Sequence, residues 1–298
     1  MASLLLAAAL LATGCAGLVS ESAGTSPTPP TGSPPESPLS SSEERVIAAT
    51  YNIHIGKSVD DQQINLGRIA AVIRAGGADV VALQEVDRHT ARSGRVDQTA
   101  ELMVLTGMAG VFGKSIDFQG GEYGLAILTT GDILEWRHWL HPAGTEAERR
   151  SCLMARIRTR SGAEFWVLNS HLGLHAEDRR SQIEALVQAA ATLDGPVLIM
   201  GDFNEEARAD SGGVTNALAA AGFEDAWLTA PRTGLADLES PETAAAFDGA
   251  TFPSQAPARR IDYIWMRPGQ GWRPSRAWVL RTLASDHLPV FAEFEVER

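Results

Sequence analysis

The stretch that most constrains what this chain can fold into is Val197-Leu198-Ile199-Met200-Gly201-Asp202-Phe203-Asn204, an apolar run that halts at a glycine and then offers polar side chains. The run is short, follows Gly195-Pro196 and shows no polar alternation, so it reads as a core strand of a sheet covered on both faces. Gly201 lets the backbone turn or approach a neighbour closely. Beyond it an extended chain aims Asp202 and Asn204 to one side and Phe203 to the other. A carboxylate and an amide at the end of a central strand suit a metal-bound water or a phosphoryl oxygen, because ligands gather at strand ends in such sheets. An Asx-rich turn capping the next helix is the competing reading.

Other apolar runs end the same way. Arg45 to Ile53 has strand composition and carries Asn52 near its end, and Asp79 to Leu83 is a strand that delivers Gln84-Glu85-Val86-Asp87. Between them, Ile64, Ile69, Val72 and Ile73 have the spacing of one helical face, which predicts a helix over 62–75 stopped by Gly76-Gly77. Phe165 to Ser170 leads into His171, and a helix over 176–193 returns the chain to the Val197 strand. Further strands are expected around 111–117, 124–130, 133–140 and 152–158, and a helix near 98–105. Residues 228–257 read as a long loop. The chain closes through Arg259 to Met266, a strand near 277–280, then Ser285-Asp286-His287-Leu288-Pro289-Val290 and a final strand to Val296.

At 298 residues with 44% hydrophobic content the chain can bury a full core. A net charge of −12 argues against holding long nucleic acid by broad phosphate neutralisation and leaves short or lipid-borne phosphates open. The cationic exception is the 87–95 loop, where Arg88, Arg92 and Arg95 suit a phosphate-bearing substrate if they are not simply solvated. Cysteines are confined to Cys15 and Cys152, which excludes a disulfide within the folded domain and makes Cys152 a small buried packing residue.

The first residues set the address. Leu4 to Ala12 is too short to span a bilayer, which needs about 20 residues, and ends in Ala12-Thr13-Gly14-Cys15, as a signal peptide does. The small residues before a lone cysteine resemble the lipobox of bacterial lipoproteins, implying acylation of Cys15. The prolines and serines that follow cannot bury apolar surface and form a tether. The expected organisation is a signal peptide at 1–14, a lipidated Cys15 with its tether over 15–43, and a folded domain over 44–298, exported and facing outward from the cell membrane; a secreted protein with a free tail is the alternative.

Asn52, Glu85, His171, Asp202, Asn204, Asp262, Asp286 and His287 make up the strand-end polar set. Carboxylates converging without a lysine require a cation among them. An oxygen-rich donor set without cysteine points to a hard ion, Mg²⁺ with Mn²⁺ as the substitute, rather than zinc. The histidines could stabilise charge on a pentacoordinate phosphorus, with Asp262 orienting His287.

Tyr51-Asn52-Ile53, Leu83-Gln84-Glu85-Val86-Asp87, Asn169-Ser170-His171-Leu172, Gly201-Asp202-Phe203-Asn204, Arg260-Ile261-Asp262-Tyr263-Ile264 and Ser285-Asp286-His287-Leu288-Pro289-Val290 resemble, in order, the motifs of the endonuclease/exonuclease/phosphatase superfamily. The resemblance implies an α/β (α+β) fold, a four-layer α/β/β/α sandwich of two packed mixed β-sheets. It implies that Glu85, with Asn52 and Asp286, holds Mg²⁺, that Asp202 positions or deprotonates the attacking water, and that Asn204 and His171 bind phosphoryl oxygens. Asp262 and His287 would sit at the scissile phosphate, with either His287 or Asp202 as the base. Tyr123 falls near a position where relatives contact substrate. The expectation is a monomeric, membrane-tethered, Mg²⁺-dependent phosphoesterase acting on a phosphodiester or a lipid headgroup phosphate. A DNase-like secreted nuclease and an inactive surface-binding lipoprotein are the other readings.

Overall fold

A computed structural model describes residues 43–142, 144, 148–206, 213–237, 248–269 and 271–297. The expected signal peptide, Cys15 and the tether as far as residue 42 lie outside these. Among the described residues no helix is long and apolar enough to cross a membrane.

The strands assemble into two mixed sheets. The first runs in the order β10 (Arg232–Asp237), β12 (Trp272–Arg281), β13 (Val290–Glu297), β1 (Glu43–Asn52), β2 (Val80–Arg88), β4 (Gly121–Thr129), β3 (Ala109–Phe118). The second runs β5 (Asp132–Leu140), β6 (Ser151–Arg158), β7 (Glu164–His171), β8 (Val197–Asp202), β11 (Asp262–Arg267), β9 (Glu224–Asp225). Successive side chains point to opposite faces, so β1 sends Val46 and Ala48 between the sheets and Ala49 and Tyr51 outward. The inter-sheet core joins Val46, Val80, Ile127, Val167, Leu198 and Ile264. Outside the first sheet, α1 (Leu66–Gly76) and α2 (Gln98–Thr106) bury Ile69, Ile73 and Leu102 against Tyr51 and Leu83. Outside the second, α3 (Ala176–Ala191) and α4 (Val214–Ala220) bury Ile183, Leu186 and Leu218 against Leu168 and Ile199. Each such fully buried aliphatic side chain contributes roughly 1.5–3 kcal/mol. The four-layer sandwich is therefore a consequence of strands apolar on both faces, each face needing a cover.

Two expectations need correction. The helix predicted over 62–75 begins at Leu66, because Asn65 is its cap and accepts from the Arg68 N–H, while Ile64 bridges Lys57 instead of joining the helical face. The 228–257 stretch is not all loop: α5 (Ala226–Thr229) enters it, and β10 pairs parallel with β12. The segments 207–212 and 238–247 lie outside the described residues. Cys152 is fully buried, as expected.

Candidate active site

β1 and β2 are parallel, so both C-terminal ends open on the same edge of the first sheet. A bulge in β2 between Leu83 and Val86 puts Glu85 in the left-handed region at φ 57° and turns its carboxylate toward that edge. β7 and β8 are parallel too, with His171 opposite Asp202, and β11 runs antiparallel so that Asp262 also pairs with Asp202. Gly201 makes this possible: at φ 152° it sits so close to β7 that a Cβ would collide with the Ser170 carbonyl oxygen. One half of the site thus belongs to each sheet.

Asn52, completely buried, joins the halves. Its Nδ2 donates to Glu85 Oε1 and to Asp202 Oδ2, both at 3.1 Å, while its Oδ1 accepts from the His54 N–H at 3.0 Å. Below it, Gln84 Nε2 donates to Asn169 Oδ1 at 2.8 Å, and Asn169 Nδ2 donates to the Leu83 and Ala126 carbonyls. These amides satisfy each other across a mostly apolar inter-sheet core, so they fix the relative position of the two edges.

Asp202 Oδ1 accepts from the Asn204 N–H at 2.9 Å, and Oδ2 lies 3.4 Å from His171 Nε2 and 3.6 Å from His287 Nε2. Burial pushes its pKa up; His287 counters this and Asp262 adds to it, leaving it at about 7. Asn204 commits both amide hydrogens, to the Leu172 carbonyl and to His171 Nε2 at 3.0 Å, which leaves its oxygen as the uncommitted atom. Burial, with help from Arg150 and His287, holds His171 well below the usual imidazole range, so it is neutral.

His287 Nδ1 donates to Asp262 Oδ2 at 2.9 Å, and Thr251 Oγ1 donates to the same oxygen. Phe252 packs its ring against the imidazole with centroids 4.9 Å apart. Burial alone would lower the His287 pKa, but the carboxylates of Asp262 and Asp202 reverse this and raise it to about 10. His287 is thus an imidazolium held between two carboxylates. Ser285 Oγ fixes its loop by donating to the Asn52 carbonyl at 2.7 Å.

Among the described residues, Asp202, Asp262 and His287 form a group whose ligand atoms lie within 4.8 Å of one another. That cluster already contains its own cation, the His287 proton, so an ion there must first displace it. Glu85 is different. Burial raises its pKa, the neutral Asn52 amide is its hydrogen-bond donor, and the nearby Asp286 carboxylate raises it further. His287 and His54 act on Glu85 only through space, and among the described residues neither Glu85 nor Asp286 is hydrogen-bonded to a cation, so Glu85, Asn52 and Asp286 are the better donor set for a divalent metal.

Of the arginines expected to meet substrate, Arg88 and Arg92 are engaged with acidic partners among the described residues and Arg95 is not. Arg88 pairs with Glu122 and lies over Phe112; Arg92 grips the buried Asp87 carboxylate with two bonds of 2.8 Å and lies over Phe118. Arg95 is in the left-handed region at φ 61°, its carbonyl bonded to His89 Nδ1. Tyr123 is buried at 8% exposure, and the Glu85 charge adds to burial in raising its pKa, so it does lie beside the site. Sequence reasoning missed His54, Thr251, Phe252 and Arg150. His54 directly follows Asn52-Ile53, a signal that could have found it; Arg150, a buried cation whose charge acts on His171 and Tyr123, lies in a charged stretch with no local signature.

The fold resembles an endonuclease/exonuclease/phosphatase from Bacteroides vulgatus, at 21% identity and a TM-score of 0.68, covering 85% of this chain and all 100% of that one. It resembles the Bacteroides thetaiotaomicron mannosyl-6-phosphatase Bt3783 at 18% identity and a TM-score of 0.65, covering 84% and 99%. It also resembles the human Nocturnin catalytic domain with bound sulfate anion at 19% identity and a TM-score of 0.62, covering 84% and 93%. A comparison with curated proteins gives no match. The model of the Endonuclease/Exonuclease/phosphatase family matches residues 49–287, and the chain belongs to that family.

Proposed function

We propose that the chain is a divalent-metal-dependent phosphoesterase that hydrolyses a phosphodiester or headgroup phosphate at the outer membrane surface, where acylated Cys15 and the Pro/Ser tether hold it. The observation that carries the chemistry is the buried array Asp202–His287–Asp262, with a carboxylate near pKa 7 facing an imidazolium. Asp202 is matched to remove a proton from water near neutral pH; His287, with a pKa of about 10, is the wrong protonation state for a base and the right one for a donor to a phosphoryl oxygen gaining charge. Asp262 and Thr251 hold that imidazolium in place, and neutral His171, oriented by Asn204, completes the wall on the Asp202 side. A divalent ion held by Glu85, Asn52 and Asp286 would supply Lewis acidity toward the phosphoryl oxygen.

The phosphate reading is supported by the mannosyl-6-phosphatase and the sulfate-bound domain among the similar folds. The net charge of −12 and the engaged arginines favour a compact phosphate over a long polyanion. The test compares Mg²⁺-dependent hydrolysis of duplex DNA and of phospholipid vesicles by the full-length protein, with EDTA as the blank. Headgroup release is expected, with Cys15→Ser abolishing detergent-phase partitioning. DNA nicking alone would replace the membrane reading with a nuclease, and inactivity on both would move the substrate to small soluble phosphates.

A further inference from the structure

His54 has no role in the chemistry above, yet the chain invests backbone strain in placing it. His54 and Ile55 both lie in the left-handed region, at φ 45° and 54°, a conformation that a β-branched residue rarely adopts. The turn is over-determined by its partners. Buried Gln98 donates to the Ile55 carbonyl at 2.7 Å and accepts from the Asp87 N–H at 2.9 Å, pinning the turn to the strand that carries Glu85. The His54 N–H is held by Asn52 Oδ1 and its carbonyl by the Lys57 N–H.

The result is an imidazole at the cleft, its side chain 31% exposed, with Nδ1 buried and lacking a hydrogen-bond partner. Nδ1 lies 3.7 Å from Asp286 Oδ1, too far for a hydrogen bond. Adjacent donors about 2.1 Å from an octahedral metal are about 3.0 Å apart and opposite ones about 4.2 Å, so Nδ1 and Oδ1 would share an ion once they close by about 0.7 Å.

We propose that His54 Nδ1 is a ligand of the divalent-metal centre formed with Glu85 and Asp286, giving the site a mixed nitrogen and oxygen donor set that favours Mn²⁺ over Mg²⁺. The proposal rests on the metal-dependent reading above. An imidazole nitrogen raises affinity for a transition ion more than for Mg²⁺, which a wholly oxygen site would not do.

The experiment is pulsed EPR of Mn²⁺ bound to the full-length protein, with Mn²⁺ and Mg²⁺ affinities measured by calorimetry for wild type, His54→Ala and His54→Gln. A directly bound ¹⁴N signal is expected in wild type and in neither variant. Mn²⁺ affinity should fall about tenfold or more, and Mg²⁺ affinity much less. Far-UV circular dichroism identifies a misfolded variant; the glutamine variant then stands in for the alanine one, and the wild-type ¹⁴N signal is read in either case. Absence of ¹⁴N coupling in wild type, or equal losses for both ions, would reduce His54 to an ion-pair partner of Asp286 and overturn the proposal. A signal that survives His54→Ala but disappears in His287→Ala also overturns it, while leaving metal dependence standing. Failure of either ion to bind the wild type would sink the metal-dependent reading itself along with it.

Discussion

Replacing Asp202 by asparagine keeps the side chain's shape and removes its charge. The Oδ1 bond from the Asn204 N–H can survive, but the charge facing His287 at 3.6 Å is gone. At an effective dielectric of about 20, that attraction is worth about 4–5 kcal/mol, or about 3 pK units. His287 should therefore move from about 10 toward about 7, becoming partly neutral where the wild type is fully cationic. Asp202→Asn thus removes the base and weakens the donor at once, and hydrolysis should fall by about 100-fold or more. Two assays separate the effects. The wild-type rate should rise with pH through about 7 as Asp202 ionises, and the variant should lose that limb. Histidine-detected NMR titration should follow the His287 shift directly. Turnover like the wild type's, or a His287 pKa that stays put, would refute the coupling and remove Asp202 from the mechanism.

Metal and pH should act together. Asp202 and Glu85 have folded pKa values raised above their unfolded ones, so the stability they contribute is full at low pH and is lost as pH rises, for Asp202 between about 4 and about 7. A divalent ion held by Glu85 needs that carboxylate deprotonated, so Mn²⁺ or Mg²⁺ should raise Tm clearly at pH 8 and little at pH 5, and equal shifts at both would count against a carboxylate site. Asn169→Ala strips partners from the Leu83 and Ala126 carbonyls and from Gln84, and should cost about 2–4 kcal/mol in urea unfolding at unchanged m. A loss below about 0.5 kcal/mol would mean that the inter-sheet tie is dispensable.

The strand-end logic was legible because burial on both faces leaves an apolar run in which a polar residue has a place only at the end. Asn52, His171 and Asp202 stand out from their strands on that ground alone, and the structure brings them together with Glu85, Asp262 and His287. What sequence hid depends on contacts distant along the chain. Thr251 matters through Asp262, eleven positions away. Arg92 looked free because the run of cations around it was visible and the buried Asp87 carboxylate that holds it was not. Likewise β10 has no periodicity of its own and exists through pairing with β12, and the left-handed turn at His54 is held by Gln98, in a helix whose sequence shows no link to that turn.

The division of the site between two sheets has a consequence for when the protein can act. Neither sheet alone holds both Glu85, the proposed metal carboxylate, and Asp202, the proposed base, and the amides that align them are fully satisfied only when the layers meet. A chain with one sheet formed holds only half of the site, so activity requires the two layers to be docked. Hydrolysis then doubles as a report on the seam between the layers, sensitive to a slip of an ångström that leaves each sheet intact.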